Sequence, residues 1–293
     1  MGVKFEDALD GRVAGELDES TALGIDIGSR TGKAVLLRQG KIYTAITPTA
    51  VFTQQTVDRL LGKISAEAQI EAGDIEYVVG TGYGRIAFDA GGIRKKIITE
   101  ISCHAMGAHY LNADVQSIVD IGGQDAKAIR VDKKNGKVVE FIMNDKCAAG
   151  TGRFLEKAAE LLGLTTEELG AEALKATKPS DISSQCVVFA ESEVISLRAK
   201  NEKRSDIAAG IHLANARRVK NLFNRIGLVP ELLFSGGVSN NVGMKQAVEE
   251  VLGQKFIAVR LNAIYAGALG AAAIAQQSIK NYENEQEALA INI

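Results

Sequence analysis

The 293-residue chain is long enough for about two domains, and its composition, 46% hydrophobic and 24% charged, is that of an ordinary globular protein. Its formal net charge of -2 gives no electrostatic reason to expect nucleic acid or an anionic membrane as a partner. The sequence shows no signal peptide and no apolar run that could span a bilayer, and three cysteines do not suggest a disulfide framework, so a cytoplasmic protein is expected.

The first predicted elements form an internal repeat. The segment 23–35, L-G-I-D-I-G-S-R-T-G-K-A-V, recurs at 118–129 as I-V-D-I-G-G-Q-D-A-K-A-I, and in both copies a Lys follows seven residues after an Asp. Each copy is an apolar run, a Gly-centred turn and a second apolar run, a pattern that predicts a β-hairpin with a glycine-rich tip. Two such hairpins, far apart in the chain, predict two similarly built domains.

Helices and further strands follow the hairpins. Apolar residues at helical spacing predict a helix across 56–70, and T-T-E-E at 165–168 is a capping box with Thr165 as the N-cap. Strands are predicted at 76–80 and 230–237. This alternation favours an α/β class with mixed sheets. Residues 1–20 lack a sustained period.

The hairpin tips contain an Asp-x-Gly pattern, at Asp26 and at Asp120, that suits phosphate binding. Glycines let backbone N–H groups approach phosphate oxygens, and the Asp can hold Mg²⁺ through its waters. A third loop, F-S-G-G-V-S-N-N at 234–241, precedes a helical pattern and would offer its N–H groups at a helix N-terminus. The alternative for any single tip is a turn that needs a positive φ.

The sequence does not match the common nucleotide motifs. G-S-R-T-G-K-A at 28–34 has three residues between its glycines instead of the four of a Walker A loop, and G-T-G-Y-G-R at 80–85 lacks the third glycine of a dinucleotide fingerprint. The three loops, in their order, instead resemble the two phosphate motifs and the adenosine motif of the actin-like ATPase superfamily. That resemblance implies an actin-like ATPase (ribonuclease H-like) fold with two duplicated domains that clamp Mg-ATP or ADP in a cleft.

Two isolated cysteines stand ahead of predicted helices, in M-N-D-K-C-A-A-G-T-G-R-F (143–154) and in S-S-Q-C-V-V-F-A-E-S (183–192). With S-C-H-A-M-G-A-H (102–109) and V-D-I-G-G-Q-D-A-K, these motifs resemble the ATPase activators of 2-hydroxyacyl-CoA dehydratases, a family that includes benzoyl-CoA reductase ATPase subunits and reductases of double-cubane-cluster proteins. The resemblance covers about residues 22–275. It implies that Cys147 and Cys186 ligate one 4Fe-4S cluster shared across a homodimer.

Elementary chemistry agrees with this ligand assignment. A 4Fe-4S cubane takes four thiolates, so a chain that offers two must obtain the others from a second copy, and helix N-termini favour thiolates. The alternative is a pair of buried structural cysteines. Cys103 lies on an apolar helical pattern and is predicted to be a core residue, whereas His104 and His109, which lack metal-ligand company, are predicted to be structural.

The residues assigned to the nucleotide and its Mg²⁺ follow from the resemblance. Asp26 and Asp120 are expected to orient Mg²⁺ waters, and Gln124 to position the attacking water, while its neighbour Asp125 is open to a metal or a turn-capping role. The remaining expected nucleotide contacts are Gly28, Ser29, Arg30, Thr31, Gly32, Lys33, Gly122, Gly123, Gly236, Gly237 and Asn240. Gly236 and Gly237 are expected to approach the nucleotide with backbone alone.

The implied function is ATP-driven electron donation to a partner iron–sulfur enzyme, either a 2-hydroxyacyl-CoA dehydratase or a double-cubane-cluster protein, with ferredoxin or flavodoxin as the donor. The alternatives are a sugar-type small-molecule kinase of the same fold and a non-enzymatic scaffold. The expected organisation is an N-terminal extension (1–21), subdomain I (22–115), subdomain II with the cluster cysteines (116–265), and a C-terminal helix returning to subdomain I with a tail (266–293).

Overall fold

The computed structural model describes residues 2–83, 89–144, 149–182 and 187–291. The chain divides into two compact units. The first unit is built from the described parts of Met1–Val115, Val131–Val138 and Ala258–Ile293, and the second from those of Gln116–Arg130 and Val139–Ile257. None of the helices in these described ranges has the length and apolarity needed to cross a membrane.

Ten strands and ten α-helices are found in the described residues. The strands are β1 (Val3–Lys4), β2 (Ala22–Ile27), β3 (Thr31–Arg38), β4 (Lys41–Pro48), β5 (Tyr77–Gly82), β6 (Lys95–Ile97), β7 (Ser117–Ile121), β8 (Ala126–Val131), β9 (Val138–Met143) and β10 (Leu232–Ser235). The helices are α1 (Phe5–Ala8), α2 (Gly11–Ala14), α3 (Thr53–Ala68), α4 (Glu100–Leu111), α5 (Gly152–Leu162), α6 (Thr166–Ala173), α7 (Val187–Ala199), α8 (Arg204–Ile226), α9 (Val242–Leu252) and α10 (Ala266–Ile291).

The first unit contains a mixed sheet of six strands in the order β1-β4-β3-β2-β5-β6. Strands β2, β3 and β4 are antiparallel, as predicted for the first hairpin, whereas β5 runs parallel to β2. Successive side chains of a strand point to opposite faces. Accordingly, Leu23, Ile25 and Ile27 join the core under α3, while Ala22 belongs to the cluster formed with α10 and α4. Asp26 shares the α10 face with Ala22, which matters for the site described below.

The second unit contains a four-stranded sheet in the order β10-β7-β8-β9. The predicted second hairpin is confirmed as β7 and β8, and β10 runs parallel to β7. The core lies between this sheet and the helices, chiefly α5, α8 and α9. The capping box predicted at Thr165 is also confirmed, because the Thr165 hydroxyl accepts from the Glu168 N–H while the Glu168 carboxylate accepts from the Thr165 N–H at 2.8 Å.

The N-terminal segment, for which the sequence shows no period, is part of the first unit. Strand β1 pairs with β4 and forms the edge of the sheet, and the apolar side chains of α1 and α2 are buried. Asp10 is the central polar contact of this segment: it accepts from the N–H groups of Arg12 (3.0 Å) and Ala113 (2.9 Å) and binds the Arg12 guanidinium, which also pairs with Asp114 at 2.8 Å. The segment is therefore held to the end of α4 by charged hydrogen bonds.

The first prediction concerns Asp10. We expect Asp10→Ala to lower the free energy of unfolding by about 2 kcal/mol at neutral pH, because the substitution removes a helix cap and several charged hydrogen bonds. Hydrogen bonds from Arg12 hold the pKa of the Asp10 carboxyl below its usual range. A carboxyl with a depressed folded pKa stabilises the fold above its unfolded pKa of about 3.9, and the effect disappears as the pH falls through the folded pKa.

The difference between the Asp10→Ala variant and the parent should therefore narrow below a pH of about 4. Urea denaturation as a function of pH measures this. Asp7→Ala is the matched control, since Asp7 is exposed on α1. Equal effects of the two substitutions at neutral pH would contradict the role given to Asp10.

Candidate functional site

The first hairpin brings Asp26 and Lys33 together. They are register partners on β2 and β3, both are buried, and the Lys33 ammonium lies 3.7 Å from the Asp26 carboxylate. The tip of the hairpin is closed by the Gly28 N–H, which donates to the Thr31 carbonyl at 3.2 Å. The Ser29 hydroxyl at this tip is buried and has no hydrogen-bond partner in the described part of the chain. An acceptor group from a bound ligand would satisfy that hydroxyl.

The remaining predicted residues of this tip differ in position. Gly28 and Thr31 are half-buried and Arg30 is exposed, so these positions border solvent. Gly32 is buried under α3, and a Cβ added there would lie 2.5 Å from a Thr56 methyl group. The packing of α3 on the sheet thus accounts for the glycine at position 32.

The second hairpin repeats the arrangement with one more carboxylate. Lys127 lies 3.2 Å from Asp120 and 2.9 Å from Asp125, and all three side chains are buried. Asp125 therefore faces inward toward Lys127. The charged groups described at this tip sum to a net negative charge, which suits a divalent cation. The first tip, with one Asp (Asp26) and one Lys (Lys33), has no such excess of negative charge.

The tip of the second hairpin is bound by the start of α5. Gly122 and Gly123 are half-buried, Gln124 is exposed, and the Gly122 N–H donates to the Asp125 carbonyl at 2.9 Å. The N–H of Gly152 donates to the Gly122 carbonyl at 2.9 Å, and the N–H of Arg153 donates to the Gly123 carbonyl at 3.0 Å. These donors are otherwise unsatisfied at a helix N-terminus.

Close approach of neighbouring atoms favours glycine at position 152. A Cβ added to Gly152 would lie 3.1 Å from the Gly122 carbonyl oxygen and 3.1 Å from a Val238 methyl group. The second hairpin tip, the third loop and the N-terminus of α5 therefore meet at this residue.

The third loop follows β10 and is also tied to Asp120. The Ser235 hydroxyl donates to the Asp120 carboxylate at 3.0 Å. Gly236 has φ +85°, and a Cβ there would lie 2.6 Å from the same carboxylate. This left-handed backbone ends β10 at Ser235, two residues before the predicted end of the strand. Gly237 has no positive φ, and a Cβ there would meet no atom of the described chain within 4 Å.

The two asparagines of the third loop have different positions. Asn240 is exposed, whereas Asn241 is the N-cap of α9 and accepts from the Met244 N–H at 2.8 Å. Asn241 also lies 3.0 Å from the His212 ring and donates to the Thr166 carbonyl. The fold thus uses Asn241 as a structural residue and leaves Asn240 at the surface.

Comparison of the two hairpins reveals a glycine, Gly82, that the sequence motifs did not indicate. In both units a hairpin strand that carries the Asp is parallel to a second strand whose last hydroxyl residue is followed directly by a glycine. The matched pairs are Asp26 and Asp120, Lys33 and Lys127, Thr81 and Ser235, and Gly82 and Gly236. Both glycines have φ +85°. The G-T-G at 80–82 is the sequence feature that could have identified Gly82.

The proposed cluster ligands Cys147 and Cys186 lie outside the described residues. On the described side of Cys147, the Gly150 N–H donates to the buried Asn215 side chain at 2.9 Å, and α5 starts two residues later. The first described residue after Cys186 is Val187, at the start of α7. Elsewhere in the described ranges there is no group of three or more His, Cys, Asp or Glu side chains that could hold a metal ion.

Cys103 lies in the core of the first unit, as the sequence predicts. It is fully buried on α4, and burial raises the pKa of its thiol to about 12. A thiol held protonated in this way is neither a nucleophile nor a ready metal ligand. His104 and His109 on the same helix are also buried.

Comparison with known proteins gives a consistent result. A model of the BadF/BadG/BcrA/BcrD ATPase family matches residues 23–275. The (R)-2-hydroxyglutaryl-CoA dehydratase activating ATPase of Acidaminococcus fermentans is 45% identical, over 85% of this chain and 95% of its own length. The activator of lactoyl-CoA dehydratase of Anaerotignum propionicum is 46% identical, over 87% of this chain and 97% of its own.

A solved structure shows the same fold. The activator of the 2-hydroxyisocaproyl-CoA dehydratase from Clostridium difficile with bound ADPNP has a TM-score of 0.83 and 38% identity, and the match covers 90% of this chain and 97% of that one. The fold is that of the actin-like ATPases, as the sequence predicts. Because the family model and these relatives match most of the sequence, the chain belongs to the BadF/BadG/BcrA/BcrD ATPase family.

Proposed function

We propose that this chain couples the hydrolysis of Mg-ATP to the delivery of a low-potential electron to an iron–sulfur acceptor enzyme. The observation that carries the proposal is the pair of hydrogen bonds from the start of α5 to the carbonyls of Gly122 and Gly123. These bonds join the second hairpin tip, where ATP phosphates are expected, to the start of α5, the helix that follows Cys147 in the sequence. A rearrangement of the tip during hydrolysis is thereby transmitted to the start of that helix.

Each hairpin tip offers donors to the phosphate groups of ATP. Backbone N–H groups at Ser29 and at Gly123 donate to phosphate oxygens, and the buried Ser29 hydroxyl gains the acceptor that it lacks in the described chain. Asp26 and Asp120 accept from the waters of Mg²⁺, with Asp120 aligned by the Ser235 hydroxyl. Bound Mg²⁺ supplies neutralisation of the charge that develops on the phosphates.

The attacking water is oriented by Gln124. Its side chain is exposed at the second tip, next to the expected γ-phosphate, whereas Asp125 is turned toward Lys127 and is unsuited to this task. A neutral amide can both donate to and accept from water without adding repulsion to the phosphates.

The residues fit a 4Fe-4S cluster that is shared between two copies of the chain. The donor set consists of the thiolates of Cys147 and Cys186, which is half of the four thiolates that such a cluster takes. A two-fold homodimer supplies the same pair twice. The helices α5 and α7 begin shortly after the two cysteines, and their N-termini favour thiolates. The cluster, when bound, supplies reversible one-electron transfer at low potential.

The acceptor is a partner iron–sulfur enzyme. Relatives named as dehydratase activators support a 2-hydroxyacyl-CoA dehydratase, and a double-cubane-cluster protein is the other candidate. A ferredoxin or flavodoxin supplies the electron. A relative from Thauera aromatica, 34% identical, is named as a component of benzoyl-CoA reductase, so the similarity extends to a second kind of enzyme system.

The second prediction tests the cluster ligands. Protein purified without oxygen should contain about four irons per dimer. We expect Cys147→Ser and Cys186→Ser to lose the iron, the visible absorption and ATP-dependent reduction of the acceptor, because a serine hydroxyl does not replace a thiolate ligand of the cluster. Cys103→Ser is the control and should keep all three properties. A full cluster in the Cys147→Ser variant would exclude this ligand assignment.

The third prediction concerns Gly236. We expect Gly236→Ala to weaken Mg-ATP binding at least tenfold, since a Cβ there strains a left-handed backbone and displaces the Asp120 carboxylate. Calorimetric titration with a non-hydrolysable ATP analogue measures the affinity. Gly163→Ala is a matched control, because Gly163 also has a positive φ but faces open space. Equal affinity of the Gly236→Ala variant and the parent would place the nucleotide elsewhere.

The fourth prediction concerns Gln124. Gln124→Ala should reduce the hydrolysis rate about a hundredfold while leaving ATP affinity within a few-fold of the parent, because the side chain acts on the water and not on the nucleotide. Steady-state hydrolysis and equilibrium binding separate the two effects. Undiminished hydrolysis would remove Gln124 from the catalytic role.

A further inference from the structure

The internal duplication shows that the two site aspartates are held differently. Asp120 receives the Ser235 hydroxyl at 3.0 Å and the Lys127 ammonium at 3.2 Å. At the position that matches Ser235 in the first unit, the Thr81 hydroxyl donates to the Ile98 carbonyl at 2.9 Å instead. Lys33 remains 3.7 Å from Asp26, longer than an ordinary hydrogen bond. Asp26 is 5% exposed, and a buried carboxylate needs donors.

His104 is placed to supply such a donor. A Cβ added to Gly267, in the first turn of α10, would lie 2.7 Å from His104 Nε2 and 3.0 Å from Asp26 Oδ2. The ring nitrogen and the carboxylate oxygen therefore border the same small space, which the missing side chain of Gly267 leaves open. His104 is 5% exposed and is fixed by the packing of α4 against α10.

We propose that His104 is a positioning residue for Asp26. Its imidazole N–H holds the Asp26 carboxylate through one water, and so takes the part that the Ser235 hydroxyl has at Asp120. The inference rests on the proposed function in one respect, namely that Asp26 orients the waters of Mg²⁺. Loss of the imidazole leaves the Asp26 carboxylate in place but able to rotate. The affinity for Mg²⁺ therefore falls more than the stability of the fold does.

The spectroscopic test uses the small number of histidines. The chain has three, so protein with ¹⁵N-labelled histidine gives three imidazole signals in long-range ¹H–¹⁵N spectra, which His→Gln variants assign to His104, His109 and His212. The ¹⁵N shifts report which ring nitrogen carries the proton. We expect Asp26→Asn to shift the His104 signals and to leave those of His109 and His212 in place. Addition of Mg-ADP should also move the His104 signals.

The kinetic test compares two buried histidines of α4. His104→Gln should raise the Mg²⁺ concentration for half-maximal ATP hydrolysis about tenfold, the effect of one lost hydrogen bond to a charged group. His109→Gln is the control: both of its ring nitrogens lack hydrogen-bond partners in the described chain, and the Mg²⁺ requirement should stay unchanged.

The outcomes separate the inference from the proposed function. If the His104 signals do not respond to Asp26→Asn, the inference is overturned, whether or not Mg-ADP moves those signals. If Asp26→Asn shifts His104 but leaves Mg-ATP hydrolysis intact, the contact is supported and the role of Asp26 at Mg²⁺ is overturned.

Discussion

Two backbone hydrogen bonds, from Gly152 and Arg153 at the start of α5 to the carbonyls of the second hairpin tip, are the constraint on which the proposed coupling depends. Carbonyl groups at a tip of glycines are free to reorient when a bound phosphate changes, and a helix moves as a rigid body. A reorientation of the tip would therefore act on the N-terminus of α5. Because Gly152 also lies close to Val238 of the third loop, the proposed coupling would involve two of the three predicted nucleotide loops.

The duplication of the hairpins explains why the two predicted phosphate tips are similar but not equivalent. Both units place an Asp opposite a Lys and set a glycine of φ +85° beside the carboxylate. Only the second unit adds Asp125, which leaves that tip with a net negative charge and makes it the better place for a divalent cation. The first tip instead carries a buried hydroxyl, Ser29, that is suited to a phosphate oxygen.

Sequence patterns predict the local features well because those features depend on residues near one another in the chain. The Asp–Lys spacing of seven fixes the register of each hairpin, and the capping box at Thr165 needs only four residues. The sequence does not say which glycine of the pair 236–237 has the positive φ, since that depends on the Asp120 carboxylate from another strand. Gly82, the packing role of Gly32 and the position of His104 and Asp26 beside Gly267 likewise arise from topology.

The N-terminal segment marks another limit of prediction from sequence. Its helices of four residues are too short to show a period, and its stability comes from contacts with α4 and α10 that are distant in the chain. For the cysteines the limit is different. Their family motifs identify Cys147 and Cys186, but the described residues show only the helices that follow them, so their assignment rests on donor chemistry and on the resemblance.

The central claim, that ATP turnover and electron delivery are coupled through α5, is tested most directly by the rate at which a chelator removes iron from the anaerobic protein. The account predicts different rates without nucleotide, with ADP and with a non-hydrolysable ATP analogue, because the tip and therefore the start of α5 differ among these states. Identical rates in all three states would contradict it, and the chain would then be an ATPase whose iron is independent of its nucleotide.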